Sequence, residues 1–241
     1  MNWNGDIVIG DNETGDRLFR FDSEFVPRGE LALPETIDDI EALASSPAGL
    51  WVIGSQSANK EAKVRPMRER IGLLGATSGM SGPLIPDFTA CAPCVEGRGR
   101  APNRGGFNVE GAAWFDGALW LGLRAPLQDG KALLVRMDGN KAVATVTVDL
   151  GGMAVREMVP WRDGLLYIAG PVDDTQAPHQ LWWSATPGAA ARRLTPDLPP
   201  RAEGILVTDD GTALYVVDGD GKAGTTCVEP ARWGRVQIGG M

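Results

Sequence analysis

Four segments of the chain share one pattern: a Glu, a short apolar run, a turn signal, then a β-rich run closing on a small or polar residue. The first runs from Glu41 through Ala48-Gly49 to Ser55, the second from Glu110 through Asp116-Gly117 to Arg124. The third runs from Glu157 through Asp163-Gly164 to Pro171, the fourth from Glu203 through Asp210-Gly211 to Asp218. From Glu to closing residue the separations are 14, 14, 14 and 15 residues, and successive Glu residues lie 69, 47 and 46 apart. A two-stranded hairpin cannot bury its apolar face alone. Its return at this interval marks radially repeated β-sheets, in which each unit packs on the next.

A partial copy opens the chain. Gly5 to Asp11 aligns with Gly49 to Ser55, but the strand that should precede it is missing, because Met1 comes too soon. Each hairpin is followed by a run able to extend its sheet: Arg17–Phe21, Arg70–Leu74, Ala132–Arg136, His179–Trp183 and Thr225–Val228. Further strands are expected at Ala142–Val148 and Arg235–Ile238. Three or four antiparallel strands per unit is a propeller blade. The reading is a single all-β domain over residues 1–241, a propeller of five blades with six as the alternative count, its first blade incomplete. Such a blade exposes an unpaired edge, so the chain is expected either to be marginal in solution or to close its ring by pairing Arg232–Ile238 with residues 5–22. From about residue 75 to 106 the chain is rich in Gly, Pro and Ser and loses the period. That insertion is expected to hold any short helices, as a surface loop or a lid.

The 32 Gly and 17 Pro suit many tight turns, and no apolar run approaches the length that spans a membrane. A net charge of −8 argues against nucleic-acid binding, which needs a basic surface. Cys91-Ala92-Pro93-Cys94 is a single pair, either a local disulfide or two free thiols; Cys227 reads as a core residue of another blade. No signal peptide follows Met1, which suits the cytoplasm. A start inside the first blade would instead leave room for a leader and an exported location.

In a propeller the first strand of each blade lines the central channel, so Glu41, Glu110, Glu157 and Glu203 are expected to form a ring around the axis. Carboxylates at close quarters need compensation. Ca²⁺ or Mg²⁺ held by the four Glu is one means, pairing with Arg124 and Arg156 a second, and capping of backbone N–H groups in the neighbouring blade a third. Asp39 and Asn108 lie two residues before a repeated Glu and should share its face. Hairpin ends bring Asp11, Ser55, Arg124 and Asp218 to the same mouth, with Glu13, Ser57, Arg65, Arg68 and Asp173 on adjacent loops. Trp51, Trp120 and Trp161 read as core between blades. The single histidine, His179, reads as a strand residue rather than a catalyst, so no Ser-His-Asp hydrolase is expected.

Several phrases resemble the bacterial domain-of-unknown-function family numbered 3616: Gly10-Asp11-Asn12-Glu13 with Arg17-Leu18; Asp38 to Ala42 with Ile53-Gly54-Ser55; Phe107 to Gly111 with Leu121 to Leu127; and Val148 to Gly152 with Arg156-Glu157 and Ile168 to Pro171. The resemblance implies a β-propeller-like fold and no particular reaction. Where the family's Ser-His pair is expected the chain has Ser55-Gln56, so any role of that His is lacking here. The expectation is a propeller whose carboxylate-rich mouth binds a small molecule or divalent metal, with metal-assisted hydrolysis as its enzymatic form. The alternative is a non-catalytic scaffold that binds a protein partner.

Overall fold

The computed structural model describes residues 1–75, 79–173, 175–194, 196–208, 210–223 and 226–238. It is a five-bladed β-propeller. Blade 1 is β1 (Asn2–Trp3), β2 (Asp6–Asp11), β3 (Thr14–Phe21) and β4 (Pro27–Ala32). Blade 2 is β5 (Ile40–Ser46), β6 (Gly49–Gly54), β7 (Ile71–Gly75) and β8 (Gly79–Leu84). Blade 3 is β9 (Asn108–Phe115), β10 (Ala118–Ala125), β11 (Ala132–Asp138) and β12 (Lys141–Val148). Blade 4 is β13 (Ala154–Trp161), β14 (Gly164–Gly170), β15 (Gln180–Ser184) and β16 (Arg192–Arg193). In each, strands follow one another across the sheet and every pairing is antiparallel. Two-residue turns make the tight hairpins. In blade 3, Asp116 and Gly117 both take positive φ, the conformation such hairpin turns require.

Blade 5 is β17 (Ala202–Val207), β18 (Thr212–Val217) and β21 (Arg232–Gln237). Here the structure corrects the sequence reading. Residues 226–229 form β20, which pairs with β19 (Asp220–Ala223) in a separate hairpin, and β21 is the third strand of the blade. The two runs are near-equivalent in β character, and only pairing with β18 distinguishes them. The expected closure by pairing with residues 5–22 is not formed: β21 is the outer strand of blade 5, paired with β18 through Thr212↔Gln237 to Val217↔Arg232. Blade 1 departs in a smaller way. Its inner position holds β1, two residues long, against six to eight in the other blades.

Alternation of side chains buries one face of each strand against the next blade. Blades 1 and 2 meet through Val8, Leu18 and Ile37 packed on Leu43, Leu50 and Val52. Blades 2 and 3 meet through Ile53 and Ile71 on Leu121, Leu123 and Leu133. Blades 3 and 4 join Trp120 and Leu134 to Met158 and Tyr167, and blades 4 and 5 join Trp161 and Ile168 to Ile205 and Ala213. Trp51 packs on the second of these cores, so all three tryptophans singled out from sequence lie at seams. Blades 3 and 4 approach so closely that a Cβ on Gly111 would meet Val155 Cγ1 at 2.8 Å. The described residues show no comparable apolar core between blades 5 and 1.

The irregular segment after β8 holds α1 (Ala92–Gly97) and a turn of 3₁₀ helix, Pro102–Arg104. Cys91 and Cys94 form a disulfide, and both pack with Phe88 and Phe107 in the core between blades 2 and 3. Arg98 makes a two-pronged contact with Glu69, at 2.7 and 2.9 Å, that ties the segment to blade 2. The segment is a plug in one seam.

Candidate functional site

The inner strands of blades 2 to 5 each carry a β-bulge, an extra residue with no partner on the second strand. In blade 2 the pairs Ile40↔Gly54 and Ala42↔Ile53 leave out Glu41. In blade 3, Val109↔Leu123 and Gly111↔Gly122 leave out Glu110. In blade 5, Ala202↔Val217 and Gly204↔Val216 leave out Glu203. A bulge re-aims its side chain, and repeating it re-aims one residue per blade alike.

Blade 4 differs by one residue. The pairs Val155↔Ala169 and Glu157↔Ile168 leave out Arg156, not Glu157. The expected ring of four Glu is therefore three Glu and one Arg. The reason is local. In blade 4 the turn is Arg162–Asp163, because Trp161 pairs with Gly164, whereas in blade 3 it is Asp116–Gly117. Counting from the Asp-Gly dipeptide slips the alignment by one. Counting back five residues from the last residue before each turn, Ser46, Phe115 and Trp161, reaches Glu41, Glu110 and Arg156.

This Arg organises the ring. Arg156 Nε lies 2.9 Å from Glu110 Oε2, and its Nη2 donates to Glu203 Oε1. Arg124 Nη1 donates to Glu110 Oε1 at 3.0 Å and its Nε to the carbonyl of Val172 at 2.8 Å. Asn108 Nδ2 also donates to Glu110 Oε1, at 3.0 Å. Glu110 is thus held by Asn108, Arg124 and Arg156, as the sequence pairing idea anticipates. Behind Arg156 lies His179, buried, with Nδ1 against the carbonyl of Ala177. Burial and the nearby Arg156 push its pKa down to about 4. At neutral pH it is uncharged, a packed residue of blade 4.

Glu157 takes the third role foreseen for a repeated Glu. Its Oε1 accepts the backbone N–H of Met158 at 2.8 Å, and a backbone hydrogen bond from Ala112 of the neighbouring blade reaches its carboxyl. Burial lifts its pKa to about 8, opposed by those bonds and by the nearby Met1 ammonium. Glu41 has neither ion pair nor hydrogen bond to its carboxylate among the described residues. Burial raises its pKa well above the ordinary range, and Glu110, Asp39 and Glu203 raise it further. Asp218 is raised by burial and by Glu203.

A second network lies beside the ring. Arg68 Nη1 contacts Asp39 Oδ2 at 2.9 Å and Ser57 Oγ at 3.3 Å, and Ser57 Oγ meets Ser55 Oγ at 2.8 Å. Asp39 and Ser55 are therefore joined, as their places predict. The partner that ties them is Arg68, which lies in the loop between β6 and β7. Asp39 holds φ at 57°, a left-handed backbone. Its position before the bulge thus differs from that of Asn108, which is extended within β9.

Between blades 5 and 1, where no apolar core forms, there is a cavity of about 580 Å³. One wall is Ile7, Ile9, Phe19 and Phe21 of blade 1; the other is Ile205, Leu214 and Val216 of blade 5. Its axial end is lined by Asp11, Glu41, Glu157, Glu203 and Asp218. No described residue of the irregular segment borders it. Phe25 and Trp233 stack 4.6 Å apart and link blade 1 to the last strand of blade 5.

Among the described residues no group of three or more His, Cys, Asp or Glu side chains could hold a metal ion. Arg156 occupies one axial position, and Glu110 and Glu203 are paired to it. No helix of the described chain is long and apolar enough to cross a membrane.

Residues 101–198 match the sequence model of the family described as "Protein of unknown function (DUF3616)". The match takes in blades 3 and 4, and so Glu110, Arg124 and Arg156. The resembling phrases before residue 101 lie outside it. A search of curated proteins finds no match. Solved structures similar to the chain include virginiamycin B lyase from Staphylococcus aureus, at 14% identity and a TM-score of 0.44, covering 89% of this chain and 60% of that one. Hydrazine synthase of Kuenenia stuttgartiensis has 12% identity and a TM-score of 0.44, covering 88% and 53%. YCF48 bound to D1 peptide has 12% identity and a TM-score of 0.42, covering 89% and 58%. The chain thus spans 60% or less of the length of these structures.

Proposed function

We propose that the protein is a small-molecule-binding propeller whose ligand site is the cavity between its first and last blades. The observation behind this reading is the coincidence of a molecule-sized space with convergent polar groups. About 580 Å³ lies within the range of natural ligand pockets. Its walls are hydrocarbon and its inner end carries the carboxylates of Glu41, Glu203 and Asp218. Apolar walls supply affinity and a few fixed polar groups set orientation. The walls stand on neighbouring strands of rigid sheets, which favours a preformed site.

Ligand-observed NMR with a fragment library tests this, using the native protein and Val216→Trp, in which an indole fills the space. Fragments that bind the native chain should lose binding to the variant. Binding that survives the filled cavity, or no fragment binding at all, overturns the proposal.

A further inference from the structure

We infer that this cavity takes an organic monocation with an apolar body, a primary ammonium or guanidinium head at the axial end with its hydrocarbon between the walls. The inference rests on the reading of the cavity as a ligand site and names the ligand's chemical class.

The arrangement of charge around the axis carries it. The two guanidinium groups of the ring are already engaged. Arg124 binds Glu110 and the Val172 carbonyl, and Arg156 binds Glu110 and Glu203. Arg68 is engaged with Asp39. None of these guanidiniums lines the cavity, whereas the carboxylates of Asp11, Glu41, Glu203 and Asp218 do. Glu41 meets the space with no ion pair or hydrogen bond to its carboxylate among the described residues. A buried carboxyl at the end of an apolar chamber gives up its proton to solvent when a cation enters beside it, since a low dielectric strengthens the pairing of the carboxylate with that cation.

The same features exclude other occupants. An anion would face mainly carboxyl groups, the Met1 ammonium at the lining standing beside Glu157. A bare divalent metal would gain nothing from the apolar walls, and no chelating group is gathered for it. A second copy of the chain would present the same negative lining to itself. An ammonium with an aryl or alkyl tail matches both ends of the cavity, and the ring faces of Phe19 and Phe21 suit an aromatic tail.

A matched set of probes tests the class: phenylbutylamine, phenylbutanol and phenylbutyrate, titrated calorimetrically into the full chain. The amine should bind about tenfold or more tighter than the alcohol, the value of one charge-assisted hydrogen bond, and the carboxylate should not bind. Glu41→Gln, or Asp218→Asn should the first variant fail to fold, should remove the amine's advantage over the alcohol. Equal binding of amine and alcohol, both blocked by Val216→Trp, overturns the cation inference and leaves the cavity reading standing. Failure of all three probes to bind counts against the cavity itself. Ca²⁺ shifting the melting temperature more than the amine does would overturn the inference in favour of a metal.

Discussion

Replacing Arg156 by Met tests the assignment of an arginine to the axial ring. The side chains of Arg156 and Glu110 are 8% and 5% exposed, and that of Glu203 is 28% exposed. The substitution keeps most of the buried volume and removes the charge. Glu203 loses its ion-pair partner and Glu110 keeps only Arg124. Breaking a buried pair by removing one member costs about 3–5 kcal/mol, because a charge stays behind. Here Glu203 can hydrate in part and Glu110 remains half-compensated, so about 3 kcal/mol is expected. For a chain of this size that is roughly 6–12 °C in melting temperature, read by calorimetry or by circular dichroism. Two comparisons make the test specific. Arg17→Met removes an exposed arginine that contacts Asp16 and Glu30, and should leave the melting temperature nearly unchanged. Adding Glu110→Gln and Glu203→Gln to Arg156→Met should recover much of the loss, since no unpaired charge is then left behind. If Arg156→Met melts with Arg17→Met, or the triple variant melts lower still, the ring does not compensate its charges in this way.

Glu157 and Glu41 hold protons in the folded state that the unfolded chain releases near 4.5, so their contribution is fully present below that value. It is lost as pH rises through the folded pKa, about 8 for Glu157. Facing them are Glu110, Asp39, Glu203, Arg156 and the Met1 ammonium, whose lowered pKa acts in the opposite sense near its ordinary value of 8.0. Melting temperature should fall from about pH 5 to about pH 8, and less so in Glu157→Gln; a flat or rising profile in the native chain refutes this. Opening the Cys91–Cys94 bridge, by reductant or by paired Ala substitution, should cost about 2 kcal/mol, as expected for so short a loop. An unchanged melting curve would show that the bridge adds nothing. Trp233→Ala removes the stack on Phe25 and should cost roughly 0.5–1.5 kcal/mol beyond lost burial, with faster amide exchange in Thr212–Val217. Unaltered exchange there would mean that the stack does not hold the two blades together.

The hairpins were readable because each joins a strand pattern of period two to a short turn. Ala118–Ala125 and Gly164–Gly170 fall where the apolar runs place them. Blade count and inner-strand order follow from the same repeat. What sequence hid is of two kinds. Bulge position depends on which two residues make the turn, and Asp163-Gly164 looks like Asp116-Gly117 although its Gly lies inside a strand. That concealed the equivalence of Arg156 with Glu41, Glu110 and Glu203. The remainder is non-local. Residues 226–229 and Arg232–Gln237 have similar strand character, and only pairing with Thr212–Val217 selects between them. The cavity, likewise, arises from two blades at opposite ends of the chain.

The seam without a core has a mechanical consequence. In a circle of packed blades every blade has two neighbours and none is terminal. Here apolar cores join 1 to 2, 2 to 3, 3 to 4 and 4 to 5, so in terms of core packing the molecule is a short linear array bent into a circle. Such arrays gain stability from each nearest-neighbour interface, and their end units, supported on one side, open first. Amide protection should therefore form a gradient, highest in Asn108–Phe115 and Ala154–Trp161 and falling outward to Asp6–Asp11 and Thr212–Val217. A guest bridging the first and last blades would act as a clasp, slowing exchange at both ends of the chain at once while leaving its middle unchanged.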